Sequence, residues 1–185
     1  MAKRRWDEAI KIALKAYTYN VYHNNLVYLY GAKGVRLTSR ARVEDFFNAE
    51  PAYFSRYTND ELEQIIRNSV GPDKIAYDCS GFVGWLCIGD MQYSTGQIHN
   101  CSFITRDISA GVAGSILYTT YNGTGRHIAL DCGFGMVADM ACESTDYNIA
   151  NHRAGVRYYR YDSGICTFEL SGQSNVLDYR GAASY

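Results

Sequence analysis

Apolar residues recur at helical spacing near the start of the chain. Trp6, Ile10, Ala13, Leu14 and Tyr17 fall on one side of a helix, and charged residues lie between them. This pattern predicts an amphipathic first helix that covers one side of a core. Polar residues at positions 20–25 end the pattern.

Further helix signals lie in a polar segment between residues 35 and 72. Thr58-Asn59-Asp60-Glu61 has the sequence of a capping box and stands ahead of an apolar stripe. Gly71-Pro72 predicts the end of that helix. A short apolar run at residues 26–30 and a glycine turn at residues 31–34 precede this segment.

From Gly114 onward the pattern predicts β-strands. Glycine turns at residues 122–125 and 133–135 favour an antiparallel meander. The expected strands cover residues 115–121, 126–132, 136–140, 156–161 and 166–170. Residues 92–105 are expected to form a loop, and the polar tail at residues 171–185 is expected to be loose.

A helical half followed by a meander is typical of the α+β class. The chain has 185 residues, of which 47% are hydrophobic, so a single domain over residues 1–185 is expected, with its helical half packed on the antiparallel sheet. The net charge of −1 gives no electrostatic footprint for nucleic acid. No apolar run is long enough to span a membrane.

Residues 77–85 combine a cysteine with the pattern of a buried helix. Asp78 can cap the first turn, and Cys79 then lies where free N–H groups and the helix dipole favour a thiolate. This is one way to build a nucleophile, and the alternative is that Cys79 is an inert buried residue. The six cysteines include no CxxC pair, so neither a metal site nor a disulfide framework is predicted.

A nucleophilic cysteine needs a base, and His127 is the best placed of the four histidines. It opens a predicted strand and faces away from the more apolar side of that strand. The next strand carries Asp139 in an otherwise apolar run, where an unpaired carboxylate would be costly to bury. Orienting a histidine would give Asp139 a partner, as in a catalytic triad. A His127 at a strand edge and a solvated Asp139 are the alternatives.

These motifs resemble the NlpC/P60 cysteine peptidases, a papain-like family of bacterial cell-wall hydrolases. Asp78-Cys79-Ser80-Gly81-Phe82-Val83 matches the DCSGFV signature of the family, whose cysteine is the nucleophile. Gly114-Ser115-Ile116-Leu117-Tyr118 is similar to its GDLVFF strand, with Ser115 in place of the aspartate. His127-Ile128-Ala129-Leu130-Asp131, followed by Gly133, fits its HVGIYVG strand, whose histidine is the base.

The resemblance also implies roles for other residues. The third polar residue of the family, commonly histidine, falls 12 positions after the base, which is Asp139 here (127 + 12 = 139), and His152 is the alternative. Tyr28-Leu29-Tyr30-Gly31-Ala32 resembles the YVWGG stretch and makes Tyr28 the substrate-site tyrosine. Tyr28, Asp78 and Ser80 are therefore expected at the substrate and oxyanion positions. The insert at residues 35–72 is longer than the usual link and is expected to form a groove wall or lid.

The resemblance implies a cysteine hydrolase that cuts an amide bond in a peptidoglycan stem peptide, with no metal and no cofactor. Two alternatives stay open: an acyl or amide transferase of the same superfamily, and a non-catalytic structural or binding module such as a phage tail component. Lys3-Arg4-Arg5 is not followed by a continuous apolar run, so no signal peptide is indicated. Synthesis in the cytoplasm is expected, with access to the wall after lysis, by tail delivery or by non-classical export.

Overall fold

The structure is a computed structural model that describes residues 3–89, 101–121, 124–141 and 155–182. Its α-helices are α1 (Trp6–His23), α2 (Arg40–Ala49), α3 (Pro51–Phe54), α4 (Asn59–Ser69) and α5 (Cys79–Ile88). Its strands are β1 (Arg4–Arg5), β2 (Leu26–Tyr28), β3 (Lys33–Arg36), β4 (Ile75–Tyr77), β5 (Cys101–Thr105), β6 (Ile116–Tyr121), β7 (Thr124–Gly133), β8 (Met136–Ala141), β9 (Gly155–Arg160), β10 (Leu170–Ser174) and β11 (Leu177–Asp178). Helices dominate the first half and antiparallel strands the second, which confirms the predicted α+β class.

Helix α1 continues beyond the amphipathic pattern that predicted it. Asn24 caps its C-terminal end, with a φ of 46° and an N–H that donates to the carbonyl of Asn20. The buried stripe of the helix consists of Ala9, Ala13 and Ala16. Because these side chains are small, α1 can lie close to α5 and β9.

Six strands form the main sheet in the order β5-β10-β6-β7-β8-β9, and every neighbouring pair is antiparallel. Strands β6 to β9 are the predicted meander. One face packs against α1 and α5 through the largest core, which includes Phe82, Ile128 and Met140. A smaller cluster, which includes Leu117 and Val137, covers part of the other face.

Two strands of this sheet differ from the sequence predictions. Residues 101–105, expected to be part of a loop, form β5, whereas residues 92–100 lie outside the described part of the chain. The strand expected at residues 166–170 begins only at Leu170, and the tail expected to be loose forms β10 and β11. The cause is backbone pairing, because β10 is bonded to β5 on one side and to β6 on the other. Its buried Ser171 and Ser174 give no hydrophobic alternation to recognise.

The smaller sheet has the order β2-β4-β3, and the insert packs on it. Helices α2, α3 and α4 contribute Val43, Phe54 and Ile66 to a separate core with Val27 and Leu29 of the sheet segment. The predicted capping box is present, because the Thr58 hydroxyl accepts from the Glu61 N–H and the Glu61 carboxylate accepts from the Thr58 N–H. The segment is therefore packed on the rest of the protein and does not float as a linker.

Helix α5 is buried between the two sheets and is held at both ends. At its start, Asp78 accepts a hydrogen bond of 2.6 Å from the N–H of Gly81. At its end, the Arg4 guanidinium donates to the carbonyls of Trp85 and Leu86. Within the described ranges, no helix combines the length and the apolar composition needed to cross a bilayer.

Candidate active site

Cys79 is the first residue of α5, as the capping signal of Asp78 predicts. Its side chain is only partly buried, whereas the helix behind it is anchored in the core by Phe82, Val83 and Leu86. The N–H groups of Cys79 and Ser80 belong to the first turn, which offers them no acceptor within the helix. The partly exposed thiol of Cys79 therefore lies beside the N–H groups of the first turn, on a helix that is packed into the core.

His127 lies in β7 and connects the thiol to the sheet. Its Nε2 is 2.7 Å from Oδ2 of Asp139, and the side chain of Cys79 is near enough to influence its pKa. Because Asp139 occupies Nε2, the ring nitrogen left for the thiol is Nδ1. Burial by itself lowers the pKa of His127, but the hydrogen bonds to Asp139 and Cys79 outweigh burial and raise that pKa to about 9. The imidazole therefore keeps its proton at neutral pH.

Asp139 is fully buried in β8 and remains ionised there. Burial favours its neutral form, but hydrogen bonds from Arg157 and His127 outweigh burial and lower its pKa. Arg157 donates from Nε to Oδ1 at 2.7 Å and from Nη2 to Oδ2 at 2.5 Å, and the Tyr159 hydroxyl donates to Oδ2 at 2.9 Å. The sequence predicts that this carboxylate needs a partner, and it has three.

Arg157 and Tyr159 are site residues that the sequence reasoning missed. Both belong to β9, where Arg157 pairs directly with Asp139 across the two strands. The Arg157 guanidinium also lies 5.2 Å from the centroid of the Tyr159 ring. The strand prediction at residues 156–161 contained the signal, because alternation puts residues 157 and 159 on one face. The sequence alone did not predict the strand register, which pairs Arg157 with Asp139.

Asp78 and Ser80, expected at the substrate and oxyanion positions, have buried side chains. Both Asp78 oxygens accept hydrogen bonds of 2.5 Å from Nζ of Lys33, and Ser80 is bonded to Lys33 and to Asp78. Lys33 is a third residue that the sequence reasoning missed. These three side chains bond to one another behind the nucleophile, so what this turn can offer a ligand is backbone N–H.

Tyr28, the expected substrate-site tyrosine, lies beside the nucleophile. Burial raises its pKa well above the ordinary value, and the nearby ionisable groups of Tyr53, Cys79 and Asp78 raise it further. A side-chain hydrogen bond joins Tyr28 to Tyr53 of helix α3. Tyr53 of the insert therefore lies next to Tyr28, near the thiol.

The insert presents a layered stack next to Tyr28. The rings of Tyr30 and Tyr53 are parallel within 7°, and their centroids are 3.8 Å apart. The Arg56 guanidinium lies 3.8 Å from the centroid of the Tyr53 ring and donates a hydrogen bond of 2.7 Å to the hydroxyl of Tyr57. These contacts hold a cationic group on an aromatic surface at the edge of the site.

The alternative third residue, His152, lies outside the described residues, so Asp139 is the candidate whose contacts are described. Across the described ranges, no three His, Cys, Asp or Glu side chains are grouped as metal ligands. Cys79, His127, Asp139 and Tyr28 are thus brought together from four separate elements of the chain.

Two comparisons with known proteins found no relative of this chain. The sequence matches no protein-family model, and a search of curated proteins finds no match either. The resemblance to NlpC/P60 peptidases therefore rests on the quoted motifs and on the contacts of the residues that they contain.

Proposed function

We propose that this protein is a cysteine hydrolase with a papain-like fold of the NlpC/P60 type. Its substrate is an amide bond in a peptidoglycan stem peptide. The observation that carries the proposal is the position of His127, which lies 2.7 Å from the buried Asp139 carboxylate and close enough to Cys79 for that side chain to raise its pKa. A nucleophile, a base and an orienting group in that order are the parts of thiol-dependent acyl transfer.

The proposed reaction has two steps. In the first step Cys79 reacts as a thiolate beside the protonated imidazole of His127, and the sulfur attacks the scissile carbonyl carbon. Backbone N–H groups at the start of α5 stabilise the oxyanion. His127 then protonates the leaving amine as the C–N bond breaks, which leaves a thioester. In the second step His127 takes a proton from water, the hydroxide attacks the thioester, and the Cys79 sulfur leaves.

Asp139 supports both steps without touching the substrate. Ionised and held by Arg157 and Tyr159, it fixes the orientation of the imidazole through Nε2. It also stabilises the imidazolium, because an ionised carboxylate at 2.7 Å favours the charged ring. Nδ1 is then available for proton transfer in both directions.

The test is mass spectrometry of peptidoglycan fragments after incubation with the protein. New amino and carboxyl ends within the stem peptide are expected with the wild-type protein and not with Cys79→Ala. Cys101→Ser is the matched control, since Cys101 is another partly buried cysteine and its contact is with Tyr118. Cleavage that survives in Cys79→Ala would refute the proposal.

The same experiment separates the two alternatives. A transferase would join the acyl group to an added amine and give a product heavier than the hydrolysed one. A non-catalytic module, such as a tail component, would bind the fragments and leave their masses unchanged. Access to the wall by lysis, by tail delivery or by non-classical export belongs to the proposal and is independent of the chemistry.

A further inference from the structure

The loop that carries Tyr30 is hydrogen-bonded to the chain at the start of α5. On one side of Tyr30, the N–H of Leu29 donates to the last carbonyl of β4 at 3.1 Å. On the other side, the carbonyl of Ala32 accepts from the N–H of Asp78 at 2.7 Å. Because Asp78 directly precedes Cys79, Tyr30 is held on a short loop beside the turn that carries the candidate nucleophile.

Tyr53 of the insert carries Tyr30 on one face of its ring and Arg56 on the other. The rings of Tyr30 and Tyr53 are parallel within 7° at a centroid distance of 3.8 Å, and the Arg56 guanidinium carbon lies 3.8 Å from the same Tyr53 centroid. Two groups that close to the centre of one ring cannot share a face. Burial raises the pKa of Tyr30, Cys79 adds to that rise and Arg56 opposes it, which agrees with a phenol that lies near both. The stack therefore extends from the loop beside Cys79 out to Arg56.

Most of the hydrogen-bond donors of Arg56 are free in the part of the chain that the structure describes. Its Nη2 donates to the Tyr57 hydroxyl at 2.7 Å, and the guanidinium carbon lies 4.9 Å from the centroid of the Tyr57 ring. Arg157, by contrast, pairs with a buried carboxylate. No described carboxylate forms an ion pair with Arg56, and this includes Glu50, whose charge acts on Tyr30. Because a guanidinium has N–H donors on each of its nitrogens, Arg56 keeps an oriented, positively charged edge for a ligand.

We propose that Arg56 is a specificity-determining residue that binds a carboxylate of the substrate close to the amide bond attacked by Cys79. This inference rests on the proposed function, since it names the chemical group that the same site recognises. A guanidinium held flat against a ring presents its N–H edge in a fixed orientation, and that edge matches the oxygens of a carboxylate. The positive charge favours a carboxylate over an uncharged carboxamide of the same shape. A peptide that is amidated at that position is therefore a poorer substrate.

The test measures binding by NMR in the full chain with Cys79→Ala, so that no bond is cut. The signals followed are the Nε–H of Arg56 and the backbone N–H of Ser80 at the start of α5. The probes are N-acetyl-D-glutamate γ-methylamide, which has a free carboxylate beside an amide bond, and its α-carboxamide as the uncharged control. Saturable shifts of both signals are expected with the acid, and the amide is expected to bind roughly three- to tenfold more weakly.

Further substitutions in the Cys79→Ala protein, followed through the Ser80 signal, locate the binding. Arg56→Gln removes the charge, so the affinity for the acid should fall to that for the amide. Arg56→Lys keeps the charge without the planar N–H edge, and its affinity should lie between the two. Arg42→Gln replaces another exposed arginine of the insert and should leave both affinities unchanged. The proposal is overturned by the absence of a saturable shift, by equal affinity for acid and amide, by an unchanged acid affinity in Arg56→Gln, or by shifts at Arg56 without shifts at Ser80.

The binding test and the cleavage test can fail independently. Because the NMR shifts need no turnover, selective binding of the acid supports a carboxylate site at Arg56 even where no stem peptide is cut. Conversely, wild-type protein that cuts the acid and amide forms of a stem peptide with equal kcat/KM would overturn the role of Arg56 and leave the proposed hydrolysis intact.

Discussion

His127 Nε2 and Asp139 Oδ2 lie 2.7 Å apart on neighbouring strands, and the carboxylate is fully buried while the imidazole remains partly exposed. The hydrogen bond therefore links the buried charge of Asp139 to the His127 imidazole, which is exposed enough to contact a ligand. It also makes the protonation of His127 depend on Asp139, which is measurable without any substrate.

The first prediction concerns the titration of His127. Its ring signals in NMR should titrate near pH 9, above the ordinary value of 6.5. In Asp139→Asn the midpoint should fall, because the ring loses the charged hydrogen-bond partner that raises its pKa. Asp162→Asn is the control, since Asp162 pairs with Arg160 on the surface. A midpoint that does not move in Asp139→Asn would contradict the pairing.

The same shift predicts how stability depends on pH. A histidine whose pKa is raised on folding stabilises the protein fully below the unfolded value of about 6.5, and this contribution is lost as the pH rises through about 9. The free energy of unfolding, measured by urea denaturation, should therefore decline between these values in the wild type. In His127→Ala that part of the decline should be absent.

The second prediction concerns Arg157. Arg157→Met removes two of the hydrogen bonds that hold Asp139, so the imidazole loses its fixed orientation. We expect kcat of the proposed hydrolysis to fall roughly tenfold or more, about 1.4 kcal/mol of transition-state stabilisation, with little change in KM. The free energy of unfolding should also fall by about 3 kcal/mol, because a buried carboxylate loses its cation.

Arg160→Met is the matched control for Arg157. Arg160 is on the same strand, but it is exposed and pairs with the exposed Asp162. Its replacement should leave kcat unchanged and alter stability by less than about 1 kcal/mol. Equal losses of kcat in the two variants would show that Arg157 has no special role.

The third prediction concerns the reactivity of the thiol. Iodoacetamide should label Cys79 faster than the other cysteines at neutral pH, because Cys79 is partly exposed at the start of a helix, next to His127. Mass spectrometry of the labelled peptides measures the rates, and Cys101 and Cys166 serve as internal references of intermediate exposure. His127→Ala should slow the labelling of Cys79 alone. Uniform labelling of all cysteines in the folded protein would remove the basis for a nucleophile.

The fourth prediction concerns the insert. Tyr53 contacts Tyr28, Tyr30 and Arg56, so Tyr53→Ala should change KM or substrate choice while the labelling rate of Cys79 stays the same. Tyr22→Ala on α1 is the control, because Tyr22 is a highly exposed tyrosine outside the insert. Tyr53→Ala is a more specific test than deletion of residues 35–72, because the deletion would also remove the core that the insert shares with Val27 and Leu29. An unchanged substrate profile in Tyr53→Ala would indicate that the insert has a structural role and does not contact the substrate.

The fifth prediction concerns Gly81. A Cβ at this position would lie 2.7 Å from the backbone oxygen of Ala32 and 2.9 Å from Cδ of Lys33. Gly81→Ala should therefore lower the free energy of unfolding by about 1–3 kcal/mol and shift the start of α5. At Gly71 the added Cβ meets only the flexible side chain of Lys74, so Gly71→Ala is a milder control. Thermal unfolding of the two variants makes the comparison.

Local signals predicted much of this architecture because their cause is local. Thr58 and Asp78 accept hydrogen bonds from N–H groups three residues ahead, and both helix starts were correctly predicted. His127 and Asp139 could be paired because one tight turn connects their strands. The proposed roles of these residues remain predictions, but the contacts on which those roles depend are present.

The contacts that could not be predicted from the sequence are those between segments separated along the chain. Lys33 reaches Asp78 across 45 residues, and Arg157 reaches Asp139 across 18. No local sequence pattern predicts these two contacts, because each depends on the register in which separate strands pair. The strand β10 was missed for a related reason, because its partners and not its own side chains define it.

The position of β10 also sets the order in which the sheet can be assembled. Among the described strands, β10 is the only neighbour of β5 in the main sheet, and it separates β5 from β6. During synthesis, β5 and the β6 edge must wait for residues 170–174 to leave the ribosome. Until then the nascent chain carries an open edge that can pair with another copy. Chains that end before Leu170 are therefore expected to self-associate, which size-exclusion chromatography of the truncated protein would measure.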